Sequence, residues 1–134
     1  MKNVLIFVCI IMVSTVFGCA TRGINISKNG TVTIQRVASE KVFVPWADAY
    51  QDGNDLVING AVQQQYCEAP NFLKVYINVT ITNTRGQLLK QARTEDMDVS
   101  SNRPCRAINW THFKLTVPMV VPKGVIIKLA VHGA

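Results

Sequence analysis

Alternation of apolar and polar residues dominates this chain from about residue 31 onwards. In residues 72–82 (FLKVYINVTIT), every second residue is Leu, Val or Ile, and the residues between them are mostly polar. Because successive side chains of a strand point to opposite faces, this pattern predicts a half-buried strand of an antiparallel sheet. The turn sequence Thr84-Arg85-Gly86-Gln87 predicts that residues 88–93 return beside it as a hairpin.

Other segments carry weaker alternation or a single apolar stripe, and they lie at residues 31–37, 55–65, 113–117 and 125–131. Residues 41–50 are apolar and aromatic, but Pro45 predicts an edge strand or an irregular one. No helical period of useful length follows residue 18. About seven short strands separated by turns predict an all-β fold, an antiparallel β-sandwich of immunoglobulin-like or transthyretin-like type. The pattern leaves the strand order open.

The N-terminus has a different pattern. Lys2 precedes an apolar run over residues 4–17, and Gly18-Cys19 follows it. The run is shorter than the roughly 20 residues that span a bilayer, so it predicts a signal peptide. Its last residues, Val16-Phe17-Gly18-Cys19, resemble the lipobox of bacterial lipoproteins.

The lipobox resemblance implies that Cys19 is diacylated and becomes the first mature residue. Ala20 follows it where inner-membrane lipoproteins have Asp, so the resemblance implies an outer-membrane lipoprotein, facing the periplasm or the surface. The alternative is ordinary secretory cleavage after Ala20, which would release a soluble protein. The expected organisation is a signal peptide at 1–18, a lipidated polar tether at 19–30 and the sandwich at 31–134.

The domain is also similar to small bacterial lipoproteins of unknown function. The similar parts are the strand at residues 58–62, the Gly-Gln-Leu-Leu hairpin at residues 86–89 and the Pro-x-Gly turn at residues 122–124. The resemblance implies the same fold and brings no activity with it.

Charge and cysteines narrow the choice of partner and compartment. The formal net charge is +6, but the basic residues are scattered, without the dense aromatic-interleaved stripe that nucleic-acid binding needs. A basic balance also suits lipid phosphates or an acidic partner.

The cysteines indicate the redox compartment. Cys9 would leave with the signal peptide and Cys19 would carry lipid, so Cys67 and Cys105 remain. An oxidising envelope predicts one disulfide between them. A redox or metal-binding thiol pair is the alternative, without a Cys-x-x-Cys motif to support it.

Trp110, His112 and His132 form the candidate binding face. If the last two strands pair across residues 118–124, Trp110 lies roughly opposite His132 and all three rings share an outward face. Such a face suits a protein partner or weak binding of copper or zinc. The alternative is a bulge near Thr111 that turns Trp110 into the core and separates the histidines.

Nothing in the chain predicts catalysis or a cofactor. The acidic residues Glu95, Asp96 and Asp98 lack the glycine of a calcium loop, so a solvated loop is expected. No nucleophile-elbow pattern is present. The leading hypothesis is therefore a non-enzymatic envelope lipoprotein that binds another envelope protein as an accessory subunit, its edge strands being suited to a partner strand. The alternatives are an inhibitor of a hydrolase and a weak carrier of a metal or small ligand.

Overall fold

Strands make up most of residues 23–66, 72–100 and 109–133, which are the residues that this computed structural model describes. The described part of the chain contains no helix, and thus none long and apolar enough to cross a membrane. Its nine strands are β1 (Ile24–Asn25), β2 (Val32–Val37), β3 (Val42–Asp52), β4 (Asp55–Gln64), β5 (Phe72–Thr82), β6 (Leu88–Arg93), β7 (Met97–Ser100), β8 (Thr111–Val117) and β9 (Val125–Gly133).

Two sheets pack face to face. Sheet A has the order β1-β3-β4-β8, and sheet B has the order β2-β9-β5-β6, with β7 also paired to β5. The predicted β-sandwich is confirmed. It has more strands than the seven expected, and β2 runs parallel to β9, whereas the other strand pairs are antiparallel.

The core lies between the sheets and follows the alternation of the sequence. In β5, Ile77 and Ile81 are fully buried, and they pair with Val131 and Ile127 of β9, which are also buried. The intervening polar residues of β5 lie on the outer face of sheet B. Burial of these branched side chains is the main stabilising term, at roughly 25 cal/mol for each Å² of apolar surface removed from water.

The stretch around Pro45 is irregular, as its proline predicts. The register between β3 and β4 shifts between Phe43 and Trp46. Here the guanidinium of Arg36, on β2, donates hydrogen bonds to the carbonyl oxygens of Val44 and Pro45. One arginine of sheet B thus satisfies carbonyls at the edge of sheet A and joins the two sheets along this side.

The last two strands do not pair with each other, so the hairpin expected across residues 118–124 is wrong. β8 lies beside β4 in sheet A, and β9 lies between β2 and β5 in sheet B. The physical reason is that Phe113 and Val117 of β8 and Ile127 of β9 are all buried between the sheets. Their apolar stripes meet face to face across the core, and the connecting segment crosses from one sheet to the other.

Four turns cluster at one end of the sandwich, which we name the turn end. They span residues 26–31, 53–54, 83–87 and 118–124, and the described chain begins beside them because Ile24 pairs with Gln51. Ile26, next to β1, is buried in the core. The sandwich therefore includes residues before the boundary expected at residue 31. We name the opposite end, where β4 finishes and β8 starts, the far end.

Candidate functional site

Three aromatic rings meet on the outer face of sheet A, and we name this group, Trp46, Trp110 and His112, the aromatic patch. Ala61 of β4 pairs with Trp46 on one side and with His112 on the other. Because Ala61 has only a methyl side chain, the two rings meet above it, with centroids 5.9 Å apart. A small residue in the central strand thus allows rings from two non-adjacent strands to touch.

Trp110 completes the patch, and like His112 it is exposed. Its centroid lies 6.3 Å from that of Trp46 and 6.4 Å from that of His112, with interplanar angles of 63° and 86°. These edge-to-face arrangements are favourable for aromatic pairs. The indole N–H donates a 2.9 Å hydrogen bond to Oε1 of Gln63 on β4. Trp110 is therefore held on several sides, although 46% of its surface remains exposed.

Trp46 forms the floor of the patch. Its side chain is half-buried, and among the described residues its indole Nε1 is buried without a hydrogen-bond partner. It also borders an open groove of about 540 Å³ between β2 and β3. A buried N–H without a partner costs free energy. The half-buried ring of Trp46 thus contacts the exposed ring of Trp110 while its own polar atom stays inaccessible.

The remainder of this face is more polar. Two further cross-strand rows follow the patch towards the turn end, and they contain Asp48, Asn59 and Lys114, then Tyr50, Val57 and Thr116. An accessible aromatic group bordered by polar residues resembles the centre and rim of a protein-binding surface.

His132 lies on the other side of the molecule. It pairs with Tyr76 in sheet B, and the two rings stack with centroids 5.5 Å apart and an interplanar angle of 20°. The guanidinium carbon of Arg93 lies 3.5 Å from the centroid of the same tyrosine ring, a cation–π contact. The structure therefore brings Trp110 and His112 together but places His132 elsewhere, because β9 pairs with β5 and not with β8.

This separation removes the shared histidine face, which was the basis of the alternative that the chain binds copper or zinc weakly. His112 is in sheet A and His132 is in sheet B. Within the described ranges no group of three or more His, Cys, Asp or Glu side chains is arranged to hold a metal ion. The alternative, a bulge near Thr111 that turns Trp110 into the core, is also wrong. The register runs regularly from Thr111 to Val117 against β4, and Trp110 is exposed.

Sequence reasoning missed Trp46 and Gln63. Trp46 lies in the segment with Pro45, where alternation does not assign a face. A usable signal was present, however, because the turn after Asp52 starts a regular register that reaches the Trp46–Ala61 pair without interruption. Counting back from that turn would have placed Trp46 opposite Ala61.

The predicted lipidation site Cys19 and the predicted disulfide partners Cys67 and Cys105 lie outside the described residues. Comparison with known proteins finds no family model that matches the chain and no curated protein with significant similarity to it.

Proposed function

We propose that this chain is an outer-membrane lipoprotein of a bacterial envelope, anchored through Cys19, and that its sandwich is a non-enzymatic subunit that binds another envelope protein through the aromatic patch. The proposal for the anchor is supported by the lipobox-like sequence that ends at Cys19. Two or more acyl chains hold a protein on a membrane, whereas a single chain binds only marginally.

The exposed but constrained ring of Trp110 is the observation that carries the binding proposal. Its contacts with Trp46, His112 and Gln63 fix the ring before any partner arrives. Fixing a side chain in advance reduces the entropy lost on binding, and tryptophan is among the residues most enriched at interface hot spots. Truncating a side chain at an interface hot spot costs about 2 kcal/mol or more, which is roughly thirtyfold in affinity.

The position of the patch within the sandwich also supports the proposal. The chain leaves the described domain at Gly23, beside the turn end, whereas His112 and Trp110 lie where β8 begins, towards the far end. Along β4, the eight steps from Asp55 to Gln63 correspond to roughly 25 Å. A membrane anchor at the N-terminus would therefore hold the patch away from the bilayer, where another protein can reach it.

The proposal is tested by crosslinking bacterial envelopes and identifying the proteins that are captured with three forms of this chain. These are the natural chain, Trp110→Ala and the control Leu88→Ala, which truncates an exposed apolar side chain of sheet B. We expect the natural chain and the Leu88→Ala variant to retain the same specific protein. Trp110→Ala should lose it, with an affinity for the purified partner that is about thirtyfold lower or more.

Two results would argue against this function. One is the recovery of no specific protein with the natural chain. The other is the same set of proteins with all three forms, since the patch would then have no part in the binding.

A further inference from the structure

The two most exposed large apolar side chains of the described residues lie at the turn end. Ile24 is 66% exposed and Val120 is 62% exposed. Both belong to segments that are held together by one residue, Gln51. Gln51 pairs with Ile24 through the backbone, its Nε2 donates to the Met119 carbonyl at 3.2 Å, and its Oε1 accepts from the Val121 N–H at 3.0 Å. The two side chains are therefore built on a fixed frame.

Three turns at this end each carry one cation. Lys28, Arg85 and Lys123 are all exposed, and the turns that hold them are joined to one another. The N–H of Gly124 donates a 2.8 Å hydrogen bond to the Thr31 carbonyl. Gly124 also approaches Thr84 so closely that a Cβ at position 124 would lie 2.8 Å from the threonine Cγ2.

Acidic residues are distributed differently from these three cations. The three joined turns, at residues 26–31, 83–87 and 118–124, contain no Asp or Glu. The carboxylates at the turn end belong to the β3–β4 hairpin, where Asp52 and Asp55 face each other. Asp48, further along β3, reaches the turn at residues 26–31, where its Oδ1 accepts a 3.4 Å hydrogen bond from the Ser27 hydroxyl. The other acidic residues of the described chain lie away from this end, and they are Glu40, Glu95, Asp96 and Asp98.

We propose that the turn end docks on an anionic lipid surface, with Ile24 and Val120 entering the interfacial region and Lys28, Arg85 and Lys123 facing lipid phosphates. The inference rests on the proposed lipoprotein function, because lipid at Cys19 would bring the turn end to the bilayer. Basic residues close to anionic lipid attract it, and exposed apolar side chains add contacts in the interface. Docking at this end orients the sandwich and directs the aromatic patch outward.

Tryptophan probes placed in the lipidated full-length product test this orientation. Val120→Trp places a probe at the turn end, and Val37→Trp places a matched one on an exposed valine, 43% accessible, at the far end of β2. Each protein is reconstituted on vesicles of brominated phosphatidylcholine containing phosphatidylglycerol. The signal of Trp46 and Trp110 is measured in the natural chain and subtracted. We expect the bromines to quench the Val120→Trp probe several-fold more strongly than the Val37→Trp probe, and Ile24→Trp to behave like Val120→Trp.

Charge reversal tests the lipid chemistry. Replacing Lys28, Arg85 and Lys123 together by Glu should weaken the quenching at position 120, as should high salt, which screens exposed charges. The matched control replaces three exposed lysines that are remote from the turn end, Lys41, Lys74 and Lys128, and should leave the quenching unchanged. Undiminished quenching on vesicles without phosphatidylglycerol would contradict a role for anionic lipid.

Vesicle flotation and intact mass distinguish failure of the docking from failure of the lipoprotein proposal. A protein that floats with the vesicles but shows equal quenching at positions 120 and 37 is anchored but does not dock at the turn end, which overturns the inference alone. A protein whose mass shows no acyl chain and which stays free of the vesicles overturns the lipoprotein proposal and, with it, the docking.

Discussion

Gly60 sets how closely β3, β4 and β8 pack beneath the aromatic patch. A Cβ at this position would lie 2.6 Å from Cζ of Phe113 and 2.9 Å from the carbonyl oxygen of Trp46. Glycine inside a strand often marks such a close approach. We therefore expect Gly60→Ala to lower the free energy of unfolding by about 1 to 3 kcal/mol, the usual cost of forcing extra volume into a packed core. Urea denaturation measures the loss.

A second substitution separates steric strain from other effects. Phe113→Leu removes the ring that meets the added methyl group, so the double variant with Gly60→Ala should lose less stability than the sum of the two single variants. Additive losses would mean that Phe113 is not what excludes a side chain at position 60.

Single residues show where sequence reasoning succeeded at the candidate site and where it failed. Trp110 and His112 lie together, with ring centroids 6.4 Å apart, although the strand pairing from which their common face was predicted does not occur. The prediction that His132 joins them failed, because it depended on which strand lies beside β9. Periodicity assigns residues to a face of their own strand, but strand neighbours are decided by contacts between residues far apart in the chain.

At the scale of elements, one threonine fills the gap in backbone hydrogen bonding between β6 and β7. Both strands pair with β5, and Thr94 lies between them, opposite Ile77. Its N–H donates to the Ile77 carbonyl at 3.0 Å, and its Oγ1 accepts from the Ile77 N–H at 2.9 Å. The threonine hydroxyl here takes the place of a backbone acceptor. It keeps the buried N–H of Ile77 paired on the side of β5 where neither β6 nor β7 is hydrogen-bonded to it.

Thr94→Val keeps the shape of this side chain and removes the acceptor. The Ile77 N–H is then buried without a partner, so we expect a loss of about 1 to 3 kcal/mol in the free energy of unfolding. Faster exchange of that one amide hydrogen should accompany the loss. Thr94→Ser retains the hydroxyl and should cost about 1 kcal/mol or less. A larger loss for Thr94→Ser than for Thr94→Val would show that the methyl group, and not the hydrogen bond, matters here.

Much of the element structure could be predicted because alternation is a local signal. The strand over residues 72–82 coincides with β5, and the irregularity expected from Pro45 is the register shift in β3. The parallel pairing of β2 with β9 was not predictable, since it joins strands from the two ends of the chain. Strand β1 was missed because its two residues are too few to show a period.

At the scale of the whole molecule, the fold separates two surfaces. The turn end is beside the N-terminal exit of the chain and bears exposed apolar and basic residues. The aromatic patch lies towards the opposite end of sheet A. This separation suits a tethered subunit that faces a membrane at one end and a protein partner near the other, which is the arrangement that we propose.

The intact mass of the protein extracted from bacterial membranes tests the covalent part of this arrangement. We expect acyl chains on Cys19 as the first residue, and a mass that increases by two hydrogens on reduction as Cys67 and Cys105 separate. On the entropic model such a bridge restricts the unfolded chain by about 3 to 4 kcal/mol. A product that begins after Ala20 without lipid would contradict the anchor, and a mass unchanged by reduction would contradict the disulfide.

Partner binding through the aromatic patch is tested most directly by photo-crosslinking in living bacteria that produce the full chain. A photo-reactive phenylalanine analogue replaces His112, inside the patch, or Thr80, which lies on β5 in the middle of sheet B. We predict one discrete protein adduct from position 112, lost when Trp110→Ala is added, and no such adduct from position 80. No adduct from position 112, or the same adducts from both positions, would contradict binding through the patch.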